Sequence, residues 1–250
     1  MFKEQQKGRI TILTISYGKA NSMDLELCEG LVQKLKELSA RDSVIVLTGE
    51  GKIFSAGVDL HRMVKEGPSY IRRFVPALDA SLEELYSYPH PVIAAVNGHA
   101  IAGGCILACA ADFRVAVNEG ARIGAPEMRV GVPFPPVALE ILRFVIPPSR
   151  FQEVILMGKT YPTVEARDCG LVDELVPRAE LLDRALAVAE SLASIPRETF
   201  SFTKAEVRAE VRERCRKGTK KLQEKVLDLW CTPEIQQAVE RYVAAVLKKS

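Results

Sequence analysis

The segment "NGHAIAGGCILACAADF" (residues 97–113) places two adjacent glycines, Gly103 and Gly104, ahead of a run of small apolar residues. The stretch that leads into it, "PVIAAVNG" (91–98), is typical of a buried strand, so the pattern predicts a strand, a glycine turn and a buried helix. The first N–H groups of a helix have no partner within it, and glycine lets a ligand approach the backbone closely. The segment therefore predicts a place where the backbone itself binds negative charge.

A second glycine turn repeats this pattern earlier in the chain. The stretches "VIVLTGEGKIFSAG" (44–57) and "VIAAVNGHAIAGG" (92–104) share an apolar strand, a glycine, a small-residue loop and a second glycine, which indicates two copies of one unit. In "FSAGVDL" (54–60), Gly57 and Val58 precede a helix predicted to start near Asp59. Two such turns facing each other would form an oxyanion hole with two N–H donors. Taken singly, each turn is also explained by packing alone.

Strands and helices alternate along the first two thirds of the chain, which predicts the α/β class. From about Arg178 the pattern is helical. The charged stretch 203–225 predicts a solvated, ion-paired helix face. The last helix has an apolar stripe of Ile235, Val239, Tyr242, Val243 and Val246, and begins with Thr232 as cap and Pro233 in the first turn. We expect residues 1–195 to form the core and residues 196–250 to cap it and to dock on other subunits.

Composition and missing motifs exclude several function classes. The 250 residues carry a net charge of +2, which gives no reason to expect nucleic acid or an anionic membrane as partner. The stretch "GEGK" lacks the remaining positions of a phosphate loop, no G-x-S-x-G elbow is present, and the three histidines show no metal-ligand spacing. The six cysteines form no C-x-x-C pair, and no signal peptide or membrane span is recognisable, so we expect a cytoplasmic protein without a metal.

Several motifs in order resemble those of the crotonase superfamily, the enoyl-CoA hydratases and isomerases. The resemblance runs over nearly the whole chain and rests on "ANSMDLEL" (20–27), "IFSAGVDL" (53–60), "PVIAAVNGHAIAGGC" (91–105), "ADFRVA" (111–116), "APEMRVGV" (125–132) and "ARDCGLVDELVP" (166–177). It implies a spiral of ββα units with a helical C-terminal region that builds homotrimers or hexamers. The implied ligand is an acyl-CoA thioester, with no further cofactor.

The resemblance also implies roles for individual residues. The N–H groups of Val58 and Gly103 would hold the thioester oxygen and stabilise an enolate. The residues implied to line the substrate and CoA groove are Ser22, Ala56, Gly57, Asp59, Leu60 and Gly104.

The choice of reaction depends on carboxylates. Hydratases of the family use two glutamates, and the matching positions here are Ile106 and Glu127. A single base can shift a proton from C2 to C4 of a 3-enoyl thioester, so the resemblance favours a Δ3,Δ2-enoyl-CoA isomerase with Glu127 as the acid/base. Dienoyl isomerases carry an acid where this chain has Pro135, which disfavours that branch. We expect apolar surroundings to raise the pKa of Glu127, and we expect Glu140 to be a structural or rim residue on a helix.

Other reactions of the same family stay open. Glu127 could serve a hydratase, a decarboxylase or a thioester hydrolase that forms the same enolate. The missing carboxylate at Ile106 also allows a non-catalytic member that binds acyl-CoA or RNA.

Overall fold

Three successive units of two strands and a helix form the centre of the computed structural model. The structure describes residues 1–217 and 219–246, with the backbone alone for residues 216, 217, 219 and 220. The first unit comprises β3 (Val44–Gly49), β4 (Ile53–Ser55) and α2 (Leu60–Glu66), followed by α3 (Pro68–Tyr86). The other units are β5 (Val92–Val96), β6 (His99–Ile101) and α4 (Gly103–Cys109), then β7 (Phe113–Val117), β8 (Arg122–Gly124) and α5 (Glu127–Val130). The predicted repeat is therefore present, with three copies rather than two.

Each unit adds one strand to each of two sheets. The remaining strands are β1 (Phe2–Lys7), β2 (Ile10–Ile15), β9 (Thr160–Pro162) and β10 (Glu174–Val176). The larger sheet has the order β1-β2-β3-β5-β7-β10 and the smaller one β4-β6-β8-β9. Only the β1–β2 and β8–β9 pairs in these sheets are antiparallel. This stepwise parallel addition produces the spiral, and it confirms the predicted α/β, crotonase-like fold.

The larger sheet is buried on both faces, which explains the continuous apolar runs of its central strands. On one face Val46 and Ile93 pack against α9 (Leu181–Ala193). On the other face Leu47 and Ala94 join a core that includes α1 (Leu25–Ala40) and α3. The edge strand β1 is mostly exposed and charged, so its sequence shows no apolar alternation and gave no strand prediction.

The later helices pack back onto the ββα units. They are α6 (Pro136–Val145), α7 (Pro148–Met157), α8 (Thr163–Asp168), α10 (Arg197–Val207), α11 (Ala209–Lys217), α12 (Thr219–Trp230) and α13 (Pro233–Val246), with a 3-10 turn at Arg178–Glu180 before α9. Helix α11 contacts α6, α12 contacts α3 and α6, and α13 contacts α2 and α5. The C-terminal helices thus cover the chain's own core, and the division at residue 195 stays a prediction.

The charged C-terminal stretch is not a uniformly solvated face, and that prediction was wrong at two positions. Lys204 and Arg208 are only 8% and 5% exposed. Both bind the carboxylate of Asp112, and Arg208 also donates to the carbonyls of Tyr86 and Ala110. Alternating charges predict an exposed face only when no buried acid and no free carbonyls lie opposite the helix.

The last helix follows its prediction more closely. Thr232 precedes α13, and its hydroxyl accepts from the N–H of Ile235 at 3.4 Å. Val239 and Val243 are buried, whereas Val246 is 46% exposed, so the apolar stripe ends before it. Glu140 lies on α6 and pairs with Arg143 and Arg214, which confirms its predicted place on a helix.

Candidate active site

A largely apolar cavity of about 270 Å³ lies between the two glycine turns, α5 and the C-terminal helices. Its wall combines residues from many parts of the chain: Ala20, Ser22, Ala56, Val58, Asp59, Leu60, His61, Leu78, Leu82, Ile101, Ala102, Gly103, Ile106, Pro126, Glu127, Val130, Val132, Pro135, Ala138, Trp230 and Tyr242. An apolar cavity with a few polar groups is the usual form of a small-molecule site.

The first glycine turn presents a free N–H at Val58. An isolated parallel bridge pairs Met23 with Val58. Its two hydrogen bonds run from Met23 N to Gly57 O at 2.8 Å and from Asp59 N to Met23 O at 3.0 Å. The bridge therefore uses the neighbours of Val58, and in the described part of the chain the Val58 N–H has no acceptor.

The second glycine turn leaves the N–H of Gly103 free. Ala102 donates its N–H to Gly124 O at 2.8 Å, and its carbonyl accepts from Cys105 and Ile106 at the start of α4. Gly103 is the first residue of that helix, so it has no acceptor one turn back, and residues 1–217 and 219–246 supply none elsewhere. The strained backbone of Ala102, at φ +52°, produces the sharp turn that exposes this N–H.

The two turns are in direct contact. A Cβ built on Gly57 would lie 2.4 Å from Ile101 O and 3.0 Å from Gly103 N. A Cβ built on Gly103 would lie 3.7 Å from Val58 Cγ2. Glycine at both positions therefore lets the backbones approach closely enough for the two free N–H groups to border one cavity.

Two of the predicted groove residues, Gly57 and Gly104, are not among the residues that line this cavity, and their role in the groove stays a prediction. Gly57 has φ +80° and packs against Ile101, as described above. A Cβ on Gly104 would lie 2.4 Å from Ser55 O, so this glycine is required by the packing of α4 on β4. The other predicted groove residues, Ser22, Ala56, Asp59 and Leu60, do line the cavity.

Glu127 provides the cavity's buried carboxyl group. It is the first residue of α5, is 6% exposed, and its Oε2 has no hydrogen-bond partner within the described residues. Burial raises the pKa of Glu127 to about 8, and its own backbone N–H offsets only part of this effect. The predicted apolar surroundings are present in Val130 and Val132. A carboxyl group in this state can accept and return a proton near neutral pH.

The position matching a second glutamate holds the buried side chain of Ile106, which lines the same cavity. Asp59 also lies on the wall, but its carboxylate accepts from Arg62 N at 3.0 Å and caps α2. Of the carboxyl groups on the wall, Glu127 alone has an oxygen that is buried and unpaired in the described structure. Among the described residues, the cavity thus combines one buried, unpaired carboxyl oxygen with two unpaired backbone N–H groups.

The chain matches the family model described as enoyl-CoA hydratase/isomerase over residues 5–245. It belongs to that family. Its activity is therefore of the enoyl-CoA hydratase/isomerase type, as the motifs predicted.

Curated relatives and solved structures agree with this membership. The chain is 33% identical over 205 residues to a putative enoyl-CoA hydratase of Thermus thermophilus, covering 80% of each protein. It is 35% identical over 196 residues to the carnitinyl-CoA dehydratase of Escherichia coli, covering 76% of this chain and 73% of that one. The human mitochondrial delta3-delta2-enoyl-CoA isomerase shares the fold, with a TM-score of 0.94 at 23% identity over 100% of this chain and 99% of its own.

Several wall residues of this family member were not predicted from the sequence. His61 follows the first turn, while Trp230 and Tyr242 reach the cavity from α12 and α13. Burial and the nearby charge of Glu127 raise the pKa of Tyr242. The apolar stripe of α13 indicated that Tyr242 is packed, but no local signal showed that it packs on the site. Trp230 is the chain's single tryptophan, and this was the available sequence feature that could have drawn attention to it.

No group of three or more His, Cys, Asp or Glu side chains within the described ranges is arranged to hold a metal ion. In the same ranges, no helix is both long enough and apolar enough to cross a membrane.

Proposed function

We propose that this protein converts 3-enoyl-CoA to 2-enoyl-CoA, with Glu127 as the single acid and base. The observation that carries the proposal is the combination of one unpaired buried carboxyl oxygen, on Glu127, with an apolar Ile106 at the second glutamate position. The free N–H groups of Val58 and Gly103 border the same cavity.

The proton shift follows from these groups. The Glu127 carboxylate removes a proton from C2, and the electron pair of that C–H bond moves to the thioester oxygen to form a dienolate. The N–H groups of Val58 and Gly103 stabilise the negative oxygen, and loss of one such donor typically lowers kcat by ~100- to 1,000-fold. The Glu127 carboxylic acid then returns its proton to C4, so the double bond moves from C3–C4 to C2–C3 and Glu127 is regenerated.

Water addition places different demands on the site. It requires a group to activate water and a proton donor for the α-carbon, and two carboxylates fulfil these roles together. Ile106 can neither hold nor activate water, and its apolar side chain disfavours a water at that position. The 1,3-shift needs only the one carboxyl group that is present.

The remaining features of the proposal concern the ligand and the assembly. The thioester oxygen would lie between the two glycine turns, with Ser22, Ala56, Asp59 and Leu60 on the CoA side. We propose no cofactor. Exposed apolar side chains on the C-terminal helices, such as Phe202 at 70% and Val207 at 59%, favour assembly into a trimer or hexamer.

The test is to supply a 3-enoyl-CoA and a 2-enoyl-CoA to the purified protein. Isomerisation of the first creates a conjugated thioester, and hydration of the second destroys one, so ultraviolet absorbance distinguishes the two reactions. Glu127→Gln should lower isomerisation by ~100- to 10,000-fold while binding of a saturated acyl-CoA persists. Glu140→Gln is the matched control, because Glu140 pairs with Arg143 and Arg214 outside the cavity. Normal turnover by Glu127→Gln would contradict the proposal.

A hydratase is the second candidate, since the Thermus relative is a putative enoyl-CoA hydratase. In that case Glu127 would act alone on a water held by other wall groups. Faster loss of conjugated absorbance from 2-enoyl-CoA than gain from 3-enoyl-CoA would favour this candidate.

A further inference from the structure

We propose that the indole of Trp230 closes the acyl end of the cavity and limits the length of the acyl chain that this enzyme accepts. The inference rests on the proposed function, because it assigns the apolar part of the cavity to the acyl chain.

Trp230 is held rigidly. It is 2% exposed, and its Nε1 donates to Pro133 O at 2.9 Å. Its backbone carbonyl accepts from Gln236 Nε2 at 2.6 Å, which joins the end of α12 to α13. A side chain fixed by hydrogen bonds at both its ring and its backbone cannot move aside without breaking buried contacts. Trp230 therefore acts as a fixed wall rather than a movable lid.

Trp230 is the last residue of α12, a helix that packs on two other helices of the cavity wall. Helix α12 packs on α3 and α6, which contribute Leu78, Leu82 and Ala138 to the cavity. Helix α13, by contrast, packs on α2 and α5, which begin beside the thioester site and at Glu127. An acyl chain that passes Glu127 therefore enters the region bounded by α3, α6 and α12, where Trp230 forms part of the boundary.

The size of the cavity agrees with a closed acyl end. Its volume of about 270 Å³ lies near the lower end of the range of ligand sites, which is roughly 300–1,000 Å³. The wall in this region consists of apolar side chains, so the limit on the acyl chain is steric rather than polar. We expect short acyl chains to fit and long chains to meet the indole.

The test compares hexanoyl-CoA with tetradecanoyl-CoA in binding to the full-length protein by calorimetry. Wild type should bind hexanoyl-CoA more tightly. Trp230→Ala should shift the ratio of the two dissociation constants at least tenfold toward tetradecanoyl-CoA. Trp230→Phe, which keeps a smaller aromatic ring in the wall and removes the indole N–H, should retain most of the short-chain preference. Trp230→Leu is a second, less disruptive way to open the wall should the alanine variant fold poorly.

The saturated ligands keep this inference separate from the proposed reaction. They bind without reacting, so their affinities measure the effect of Trp230 on acyl-chain binding even if no isomerisation is detected. An unchanged ratio of the two dissociation constants in a folded Trp230→Ala or Trp230→Leu protein would overturn the proposed role of Trp230 and leave the proposed function intact. The same comparison with 3-enoyl-CoA substrates of six and fourteen carbons should show the shift in kcat/KM.

Discussion

Lys204 Nζ donates a hydrogen bond to Asp112 Oδ2 at 2.7 Å, across 92 residues of sequence, and so joins α10 to the start of β7. Asp112 Oδ2 also accepts from the N–H of Val92, and Lys204 donates to the carbonyl of His90. The first C-terminal helix is thereby fixed to two central strands through one carboxylate.

Replacing Lys204 with methionine should destabilise the protein by about 3 kcal/mol, because it leaves part of a buried ion pair without its partner. Chemical denaturation would measure the change. Lys3→Met is the control, since the Lys3–Glu50 pair is exposed; it should change stability by less than ~0.5 kcal/mol. Equal effects of the two substitutions would show that burial does not strengthen the Lys204 contact.

Gly57→Ala should lower kcat/KM by ~100-fold or more, because the new Cβ would meet Ile101 O and push the two N–H donors apart. Gly51→Ala is matched in backbone conformation, at φ +75° against +80°, but has open space at its Cβ. The Gly51 variant should therefore lose stability by about 1 kcal/mol and retain its activity. An active Gly57→Ala enzyme would argue against the oxyanion hole.

The pH dependence of kcat/KM should follow the ionisation of the Glu127 carboxyl group. Burial raises the pKa of Glu127 to about 8, and only the ionised form can accept the C2 proton. Activity should consequently rise about tenfold per pH unit well below pH 8 and level off above it. A profile that is flat from pH 5 to 9 would exclude Glu127 as the base, and Glu127→Gln should show no such rise.

Asp79 predicts a second pH effect, on stability rather than activity. Asp79 lies on α3, and its Oδ1 has no hydrogen-bond partner in the described structure. Its Oδ2 accepts one long hydrogen bond, from Gln223 Nε2 at 3.4 Å. Burial raises the pKa of Asp79 to about 7. The folded state therefore holds the Asp79 proton more tightly than the unfolded state does. The contribution of this group to the free energy of unfolding is fully present below about pH 4 and is lost as the pH rises through 7.

Asp79→Asn should remove this loss and stabilise the protein at pH 8 by on the order of 2–4 kcal/mol. At pH 4 the two proteins should differ little. Thermal unfolding at both pH values would check the sign. A stabilisation by Asp79→Asn, relative to wild type, that is larger at pH 4 than at pH 8 would contradict the assignment. Glu127 has the same sign of shift, so some fall in stability with pH should remain in Asp79→Asn.

Much of the fold could be predicted from local patterns. The patterns of residues 9–16, 43–49, 91–98 and 113–117 predict strands, and that of residues 68–86 predicts a helix. Strands β2, β3, β5 and β7 and helix α3 lie within these stretches. These elements have strong periodicity or β-branched composition. The strands β4, β6, β9 and β10 have only three residues each, and so short a segment carries no period to detect.

The sequence by itself determined the family, the two glycine turns and the single glutamate, because each depends on residue types at fixed local spacing. Only the tertiary structure decided which atoms border the cavity. It packed Gly57 against Ile101 and Gly104 against Ser55, brought Trp230 and Tyr242 to the cavity wall, and buried Lys204. These outcomes depend on contacts between residues distant in sequence, where packing and the need to pair buried polar groups override what a local pattern favours.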